Sequence, residues 1–435
     1  MLLLHVSDIH FRHPECLAPT DPDRPFRTLL LNDVRGLLRE LSAPLDAILV
    51  TGDIAFKASP DEFKAAETWL TQMAQEFGQP RSGIFVVPGN HDVDRSLCGK
   101  QIDIRNVQGA IRSRQTIPEK ERELRAQLGD SATSHSILKP IESYNAFAAK
   151  FDCNLFAPQR THWSHDLPMD YGVTLRLHGL NSTLLSGYEG KDDDRGTMYL
   201  SAYQTAFDPE EGVVNAVLAH HPPDWCCDSD DIEDAITTRT LLQFFGHKHR
   251  QRIVQEDRYI RYSAGAVNPD RHEAGWEPGY NLLKLDIRVQ GNDRYLSVES
   301  HVRALRVGEA HFDYKRPRPG ENHHQKLLLI PGHYVQQEQG TVNTGPIDPP
   351  PHPSGGALLQ EPVMPESVRD RDLVFRFWEL SISQRRDIAK ALNLLQPGEM
   401  QMPEPERYGR ALLRAKERGL VEQLAGEISR RERSQ

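Results

Sequence analysis

Cysteine is scarce in this chain, with five residues among 435: Cys16, Cys98, Cys153, Cys226 and Cys227. The count is odd, no pair has CxxC spacing, and the only close pair is adjacent. These facts exclude a miniature disulfide scaffold and a thiolate metal site, and predict free thiols. Long apolar runs are missing too; nothing approaches the ~18–20 residues that a membrane span needs. The apolar start Met1–Leu4 is too short for the core of a signal peptide, so a cytoplasmic location is expected, with no membrane partner. Positive charge is in deficit, 52 Lys+Arg against 62 Asp+Glu for a net charge of −10. That balance argues against coating nucleic acid by bulk electrostatics and leaves a local basic surface open. Histidine, by contrast, is abundant at 19 residues. It is the commonest metal ligand and the usual acid–base group near neutral pH, so its placement matters.

The length suits two or three domains. Residues 1 to about 310 alternate apolar runs with helical stretches, as an α/β unit does. Leu2–Val6, Ala47–Val50, Ile84–Val87 and Val213–Ala219 read as strands buried on both faces. Thr28–Leu41 and Asp61–Phe77 carry helical periodicity between the first three, which predicts parallel β-α-β crossovers. After Gly246 the runs Tyr259–Ala264, Tyr280–Ile287 and Tyr295–Leu305 predict a second, more antiparallel sheet. A polar, helix-prone insertion spans about 95–165. From Arg95 to Arg125 it holds eight Lys/Arg and four Asp/Glu, and a solvated helical face and a cap that greets an anionic substrate are both open. Residues 311–365 read as a Pro/Gly-rich linker, with Pro346, Pro349–Pro351, Pro353 and Gly355–Gly356. Residues 366–435 return to helical periodicity and predict a module of four or more helices.

Five polar blocks follow apolar runs: Asp8-Ile9-His10, Gly52-Asp53, Gly89-Asn90-His91-Asp92, His220-His221-Pro222 and Gly246-His247-Lys248-His249. In an open parallel sheet the carboxyl ends of the strands line one crevice, so residues distant in sequence converge there. Two carboxylates, an amide oxygen and about four imidazoles suit Mn, Fe, Zn or Ni better than Ca or Mg, which prefer oxygen shells. Two such ions roughly 3.5–4 Å apart polarise phosphoryl oxygens and activate water at neutral pH. The glycines are expected to let the chain turn sharply and aim the next side chain at the metal. His247 and His249 flank Lys248, so on an extended segment they share a side.

In this order the five blocks resemble those of the calcineurin-like metallophosphoesterase superfamily, over about the first 310 residues. The resemblance implies an α/β fold, a two-sheet β-sandwich flanked by helices, here with a small all-α C-terminal domain. It implies two divalent transition-metal ions (Mn, Fe, Zn or Ni, with Mn favoured). Asp8, His10, Asp53 and His249 would hold one, while Asp53 as a bridge, Asn90, His220 and His247 would hold the other. His220 is preferred to His221 because the family's ligand stands two residues before the proline, here Pro222. His91 is implied to contact the phosphate and protonate the leaving alkoxide, with Asp92 holding its ring.

The segments Gly52-Asp53-Ile54-Ala55 and Val87-Pro88-Gly89-Asn90-His91-Asp92 are more similar to the phosphodiesterase-like branch than to the protein phosphatases. The expected activity is therefore hydrolysis of a nucleotide or other small phosphodiester. A DNA or RNA nuclease is the alternative, favoured by the basic insertion; Asp192–Asp194 and the acidic stretch Asp228–Asp234 weigh against a long polyanion track. A phosphomonoesterase ranks third. At the C-terminus, Trp378-Glu379-Leu380-Ser381, Gln384–Ala389 and Glu406-Arg407-Tyr408 look like the death-domain-like adaptors of bacterial conflict systems. That resemblance implies a homotypic adaptor partner through 366–435 and recruitment as an effector in a bacterial defence system. A bundle that docks on its own catalytic domain is the other open reading.

Overall fold

The computed structural model describes residues 1–268, 278–306, 308–332 and 366–433. Strands β1 (Leu2–Val6), β2 (Ala47–Val50) and β3 (Ile84–Val86) are parallel neighbours, and every one of their residues is buried. The crossovers are α1 (Arg24–Leu41) and α2 (Pro60–Glu76). The second starts where sequence chemistry says it should: Pro60 takes the first turn and Ser59 and Glu62 form a reciprocal cap.

Helices α3 (Arg95–Lys100), α4 (Ile102–Arg112), α5 (Ile117–Gly129), α6 (Ser131–Leu138) and α7 (Glu142–Ala148) make up the insertion. Asp94 caps α3, and Asp130 caps α6. Much of the basic excess here is consumed locally. Arg95 pairs with Asp192, Arg114 with Glu123 and Arg125 with Glu121, and Lys120 donates to the carbonyls of Ile111 and Arg112.

The second sheet has the order β4 (Trp163–Pro168), β5 (Thr174–Gly179), β6 (Val213–Ala219), β7 (Leu242–Phe245), β9 (Ile260–Ser263), β8 (Arg252–Gln255), with β5, β6, β7 and β9 parallel. Helix α8 (Ser229–Arg239) connects β6 to β7. At its acidic start Asp228 is buried and accepts the amide of Ser201 at 2.9 Å.

The late strands do not form a sheet of their own as expected. β10 (Gly279–Gln290) pairs antiparallel with β1, and β11 (Asp293–Arg306) pairs with β10, so both extend the first sheet. Of the three predicted runs, β9 alone joins the second, where β8 pairs with it. The expected linker also begins too early. β12 (His311–Tyr314) and β13 (His324–Leu329) pair with two stretches of β11, and Phe312 and Leu328 are buried there. An unpaired β11 edge offers backbone donors and acceptors that these short strands satisfy. The Pro346–Gly356 part of that linker lies outside the described residues.

The two mixed sheets face each other. Tyr262 on β9 shares a 2.7 Å hydrogen bond with Ser300 on β11, and His5 on β1 lies edge-on to Phe244 on β7. Four helices, α9 (Glu366–Glu379), α10 (Ile382–Ala391), α11 (Glu404–Glu417) and α12 (Val421–Glu432), enclose a second core around Phe377, Ile388, Tyr408 and Ile428.

This bundle docks on the sandwich. Arg371 is buried, with its guanidinium 3.8 Å from the Phe85 ring centroid. It donates to the carbonyls of Ser82, Ile84 and Phe151. β3 is an edge strand, so Arg371 satisfies carbonyls that would otherwise be stranded. Tyr144 and Trp163 do the same for Val86, each at 3.0 Å. No helix among the described residues is long and apolar enough to cross a membrane, and all five cysteines are free.

Candidate metal centre

The carboxyl ends of β1, β2, β3, β6 and β7 meet where the two sheets abut. Backbone bonds fix the loops to one another: Asp8 N to Gly52 O at 3.1 Å, His10 N to Asp53 O at 3.0 Å, and Gly246 N to His220 O at 3.1 Å. Asp8, His10, Asp53, His247 and His249 all take positive φ, between 49° and 68°. For non-glycine residues this region is sparsely populated, and such outliers concentrate at functional sites. Five of them sit in the blocks singled out by sequence.

Of the three block glycines, only Gly52 needs its freedom of φ, at 86°. Gly89 and Gly246 are there for close approach. A Cβ on Gly89 would lie 2.2 Å from Asp53 Oδ1, and one on Gly246 would lie 2.1 Å from Ser7 Oγ.

Two groups of donors result. Asp8, His10, Asp53 and His249 bring one ligand atom each within 4.8 Å of the others, and so do His220, His221 and His247. Asp53 Oδ2 lies between the groups, 3.2 Å from His10 Nε2 and 3.3 Å from His220 Nε2. Asn90 Oδ1 is 3.0 Å from both His220 Nε2 and His247 Nδ1. His249 Nε2 is 3.1 Å from Asp8 Oδ1.

Backbone carbonyls set the tautomers. His10 Nδ1 donates to Asn268 O at 3.2 Å and His220 Nδ1 to Thr51 O at 2.8 Å, which turns Nε2 of both rings toward the cluster. Orientation by a carbonyl behind the ring is the usual support for a metal-binding imidazole.

The electrostatics run the same way. Burial alone would raise Asp8, but His249 and its hydrogen bond hold it down to about 2. Burial also works against the charged form of Asp53, yet His220 and His91 keep it well below the usual range. Burial lowers His220, and Asp53 more than reverses this, raising it to about 9. Two fully buried carboxylates thus depend on the positive charge around them. A donor set of carboxylates, an amide oxygen and imidazole nitrogens fits divalent transition metals.

All seven residues expected as ligands are brought together, and His91 adjoins them: its amide donates to Asp53 Oδ1 at 2.8 Å. Its ring stacks on Phe56, and its Nδ1 donates to Phe56 O at 2.9 Å. The expected contact between Asp92 and the His91 ring is not made. Asp92 is fully buried and accepts the amides of Ile54, Ala55 and Gly89 at 2.8–3.2 Å, tying the β2 loop to the β3 loop. In the tight turn Asn90–Asp92 neighbouring side chains diverge, so Asp92 faces the backbone while His91 faces the cluster.

Sequence reasoning passed over three contributors. His221, set aside in favour of His220, is buried with Ser182 on Nδ1 and no hydrogen-bond partner for Nε2 among the described residues. Trp225 places its ring edge-on to His247, with centroids 3.9 Å apart. Asn268 carries no spacing signal, being 258 residues from His10. Beside the cluster a cleft of 330 Å³ is lined by Phe56, Lys57, His91, Val93, Asp94, Arg95 and Ser96.

A family model described as calcineurin-like phosphoesterase matches residues 1–251, and one described as a GTPase-associated adaptor domain matches residues 369–430. Among solved structures the chain is similar to Vps29 from Chaetomium thermophilum, at 11% identity over 76% of this chain and 99% of that one, with a TM-score of 0.29. It is similar to Vps29 complexed with zinc from Entamoeba histolytica, at 11% over 76% and 99%, with a TM-score of 0.26. It is also similar to GAP50 of Plasmodium, at 8% over 77% and 90%, with a TM-score of 0.35. No curated protein matches the chain.

Proposed function

The chain belongs to the calcineurin-like phosphoesterase family, and from that premise we propose that it is a dimetal phosphodiesterase for a nucleotide or another small phosphodiester. The observation that carries this reading is Asp53, one carboxylate standing between two groups of imidazoles. Asp8, His10, Asp53 and His249 would hold one ion, and Asp53, Asn90, His220 and His247 the other, with manganese favoured. Two bound divalent ions supply Lewis acidity toward the phosphoryl oxygens and activate water for attack.

The chain's own residues do the rest. His91 keeps its Nδ1 hydrogen on the Phe56 carbonyl, so Nε2 is the atom left to hydrogen bond a phosphoryl oxygen or hand a proton to the departing oxygen. Asp92 keeps the loops carrying Asp53 and His91 in register. Lys57 borders the neighbouring cleft, whose volume suits a nucleotide-sized ligand. The local pairing of the insertion's basic residues favours a small substrate over a nucleic-acid track.

The C-terminal bundle supports a second role. We propose that it recruits a partner, a like module first of all, through the faces that do not touch the sandwich, in a cytoplasmic defence setting.

The decisive experiment is turnover by the manganese-loaded protein on cyclic nucleotides, dinucleotides, single- and double-stranded DNA and RNA, and a phosphomonoester. Preference for a small diester is expected. Preference for polynucleotides would replace this reading with the nuclease.

A further inference from the structure

A second cluster of metal-ligand side chains lies far from the strand ends, on the outer strands of the first sheet. Glu299 and His301 are two residues apart on β11, so they project from the same face. His323 directly precedes β13, whose His324 stands opposite Ser300 of β11. One donor atom from each of Glu299, His301 and His323 lies within 4.8 Å of the others. His301 is only 3% exposed, and its Nε2 is 2.8 Å from Glu299 Oε1. Its Nδ1 is buried with no hydrogen-bond partner among the described residues. The His301 and His323 rings are 5.4 Å apart between centroids. The three residues line a common cleft, which Glu40 and Glu321 also border.

A simple acid–imidazole pair would account for Glu299 and His301 and leave His323 unexplained. Two imidazoles and a carboxylate converging from adjacent strands are instead a donor set suited to zinc, with a fourth position for water. We propose that Glu299, His301 and His323 bind a divalent transition-metal ion, zinc by donor type, at a site separate from the candidate phosphoesterase centre. The ion would clasp the segment entering β13 to β11, the strand that β13 completes. The site does not rest on the phosphoesterase reading.

The test is zinc stoichiometry on the full chain, stripped with a chelator and dialysed against micromolar zinc. His323→Ala is expected to hold one zinc fewer per chain than the wild type, with unchanged phosphodiesterase turnover. Glu299→Gln, which keeps size and shape, is expected to weaken that zinc at least tenfold. Wild-type zinc content in both variants would overturn the site. The same comparison in the Asp53→Asn background separates the two readings. Zinc that persists there and disappears on adding His323→Ala supports this site. No zinc bound there overturns it, whatever becomes of the phosphoesterase assignment.

Discussion

Asp53 uses both carboxylate oxygens inside the cluster, one on the His91 amide and the other between His10 and His220. Asp53→Asn is therefore expected to lower kcat/KM by more than about 100-fold, since a direct ligand should exceed the effect of an outer-shell change. Metal per chain should drop with it, and full activity in that variant would sink the assignment. His91 touches no proposed ligand position with its ring nitrogen, so His91→Ala should slow turnover by about 10²–10⁴-fold at unchanged metal content; elemental analysis alongside kinetics decides. Asp92 calls for a different experiment. In Asp92→Asn an amide NH₂ would face backbone N–H groups, and the expected result is a loss of about 1–3 kcal/mol in urea denaturation. The convergence of the cluster's side chains was legible because block order and residue type are properties of the sequence. The role of Asp92 was not, because adjacency in the chain says nothing about where two side chains of a tight turn point. His221 and Trp225 were missed for a related reason: only the folded loop shows which ring meets His247.

At the scale of elements, the apolar runs located β1, β2, β3 and β6 to within a residue, since a strand buried on both faces must be apolar throughout. Pairing was harder. Periodicity marks β10 and β11 as strands but does not say which neighbour they take, and they joined the first sheet rather than a new one. β12 was lost because it buries only Phe312 and shows no apolar run, and β13 because its short apolar run Leu327–Leu329 buries only Leu328 and sits in a Pro/Gly-rich stretch. Buried imidazoles on the strands carry a pH signature. Burial, the largest influence in both, lowers His5 on β1 to about 3 and His178 on β5 to about 4. Below about pH 6.5 the unfolded chain binds protons that these two rings refuse when folded, so stability is full above that pH and is lost on acidification. Each ring should cost about 1.4 kcal/mol per pH unit between pH 6 and 4. Urea unfolding of the manganese-loaded protein across that range checks the sign, and a flat profile would contradict the burial of these rings.

Arg371 is a principal joint of the whole molecule, beside the bonds from Asn154 to the Pro405 carbonyl and from Arg410 to the Ala157 carbonyl. The four-helix periodicity of the C-terminal region was readable from sequence, and so was its adaptor character; docking on the catalytic domain was one of two open readings, but the residue that makes it was not legible, because an arginine in an amphipathic helix carries no mark of the strand edge it will cover. Arg371→Met removes hydrogen bonds to three carbonyls while keeping much of the packing over Phe85. We expect a loss on the order of 3 kcal/mol by urea denaturation, given the value of charged hydrogen bonds to buried acceptors. A change below about 0.5 kcal/mol, typical of surface substitutions, would mean that the bundle is only loosely attached. The arrangement also has a temporal side. Chains are synthesised from the N-terminus at about 5–20 residues per second, and domains fold as they emerge. β3 therefore leaves the ribosome nearly three hundred residues before the arginine that covers its Ile84 carbonyl. Tyr144 and Trp163 reach the Val86 carbonyl first, so for that interval it is the Ile84 end of the edge that waits, a short piece of the feature that templates association between chains. The last of the caps on the β3 edge thus arrives with α9, after the domain it covers has been made.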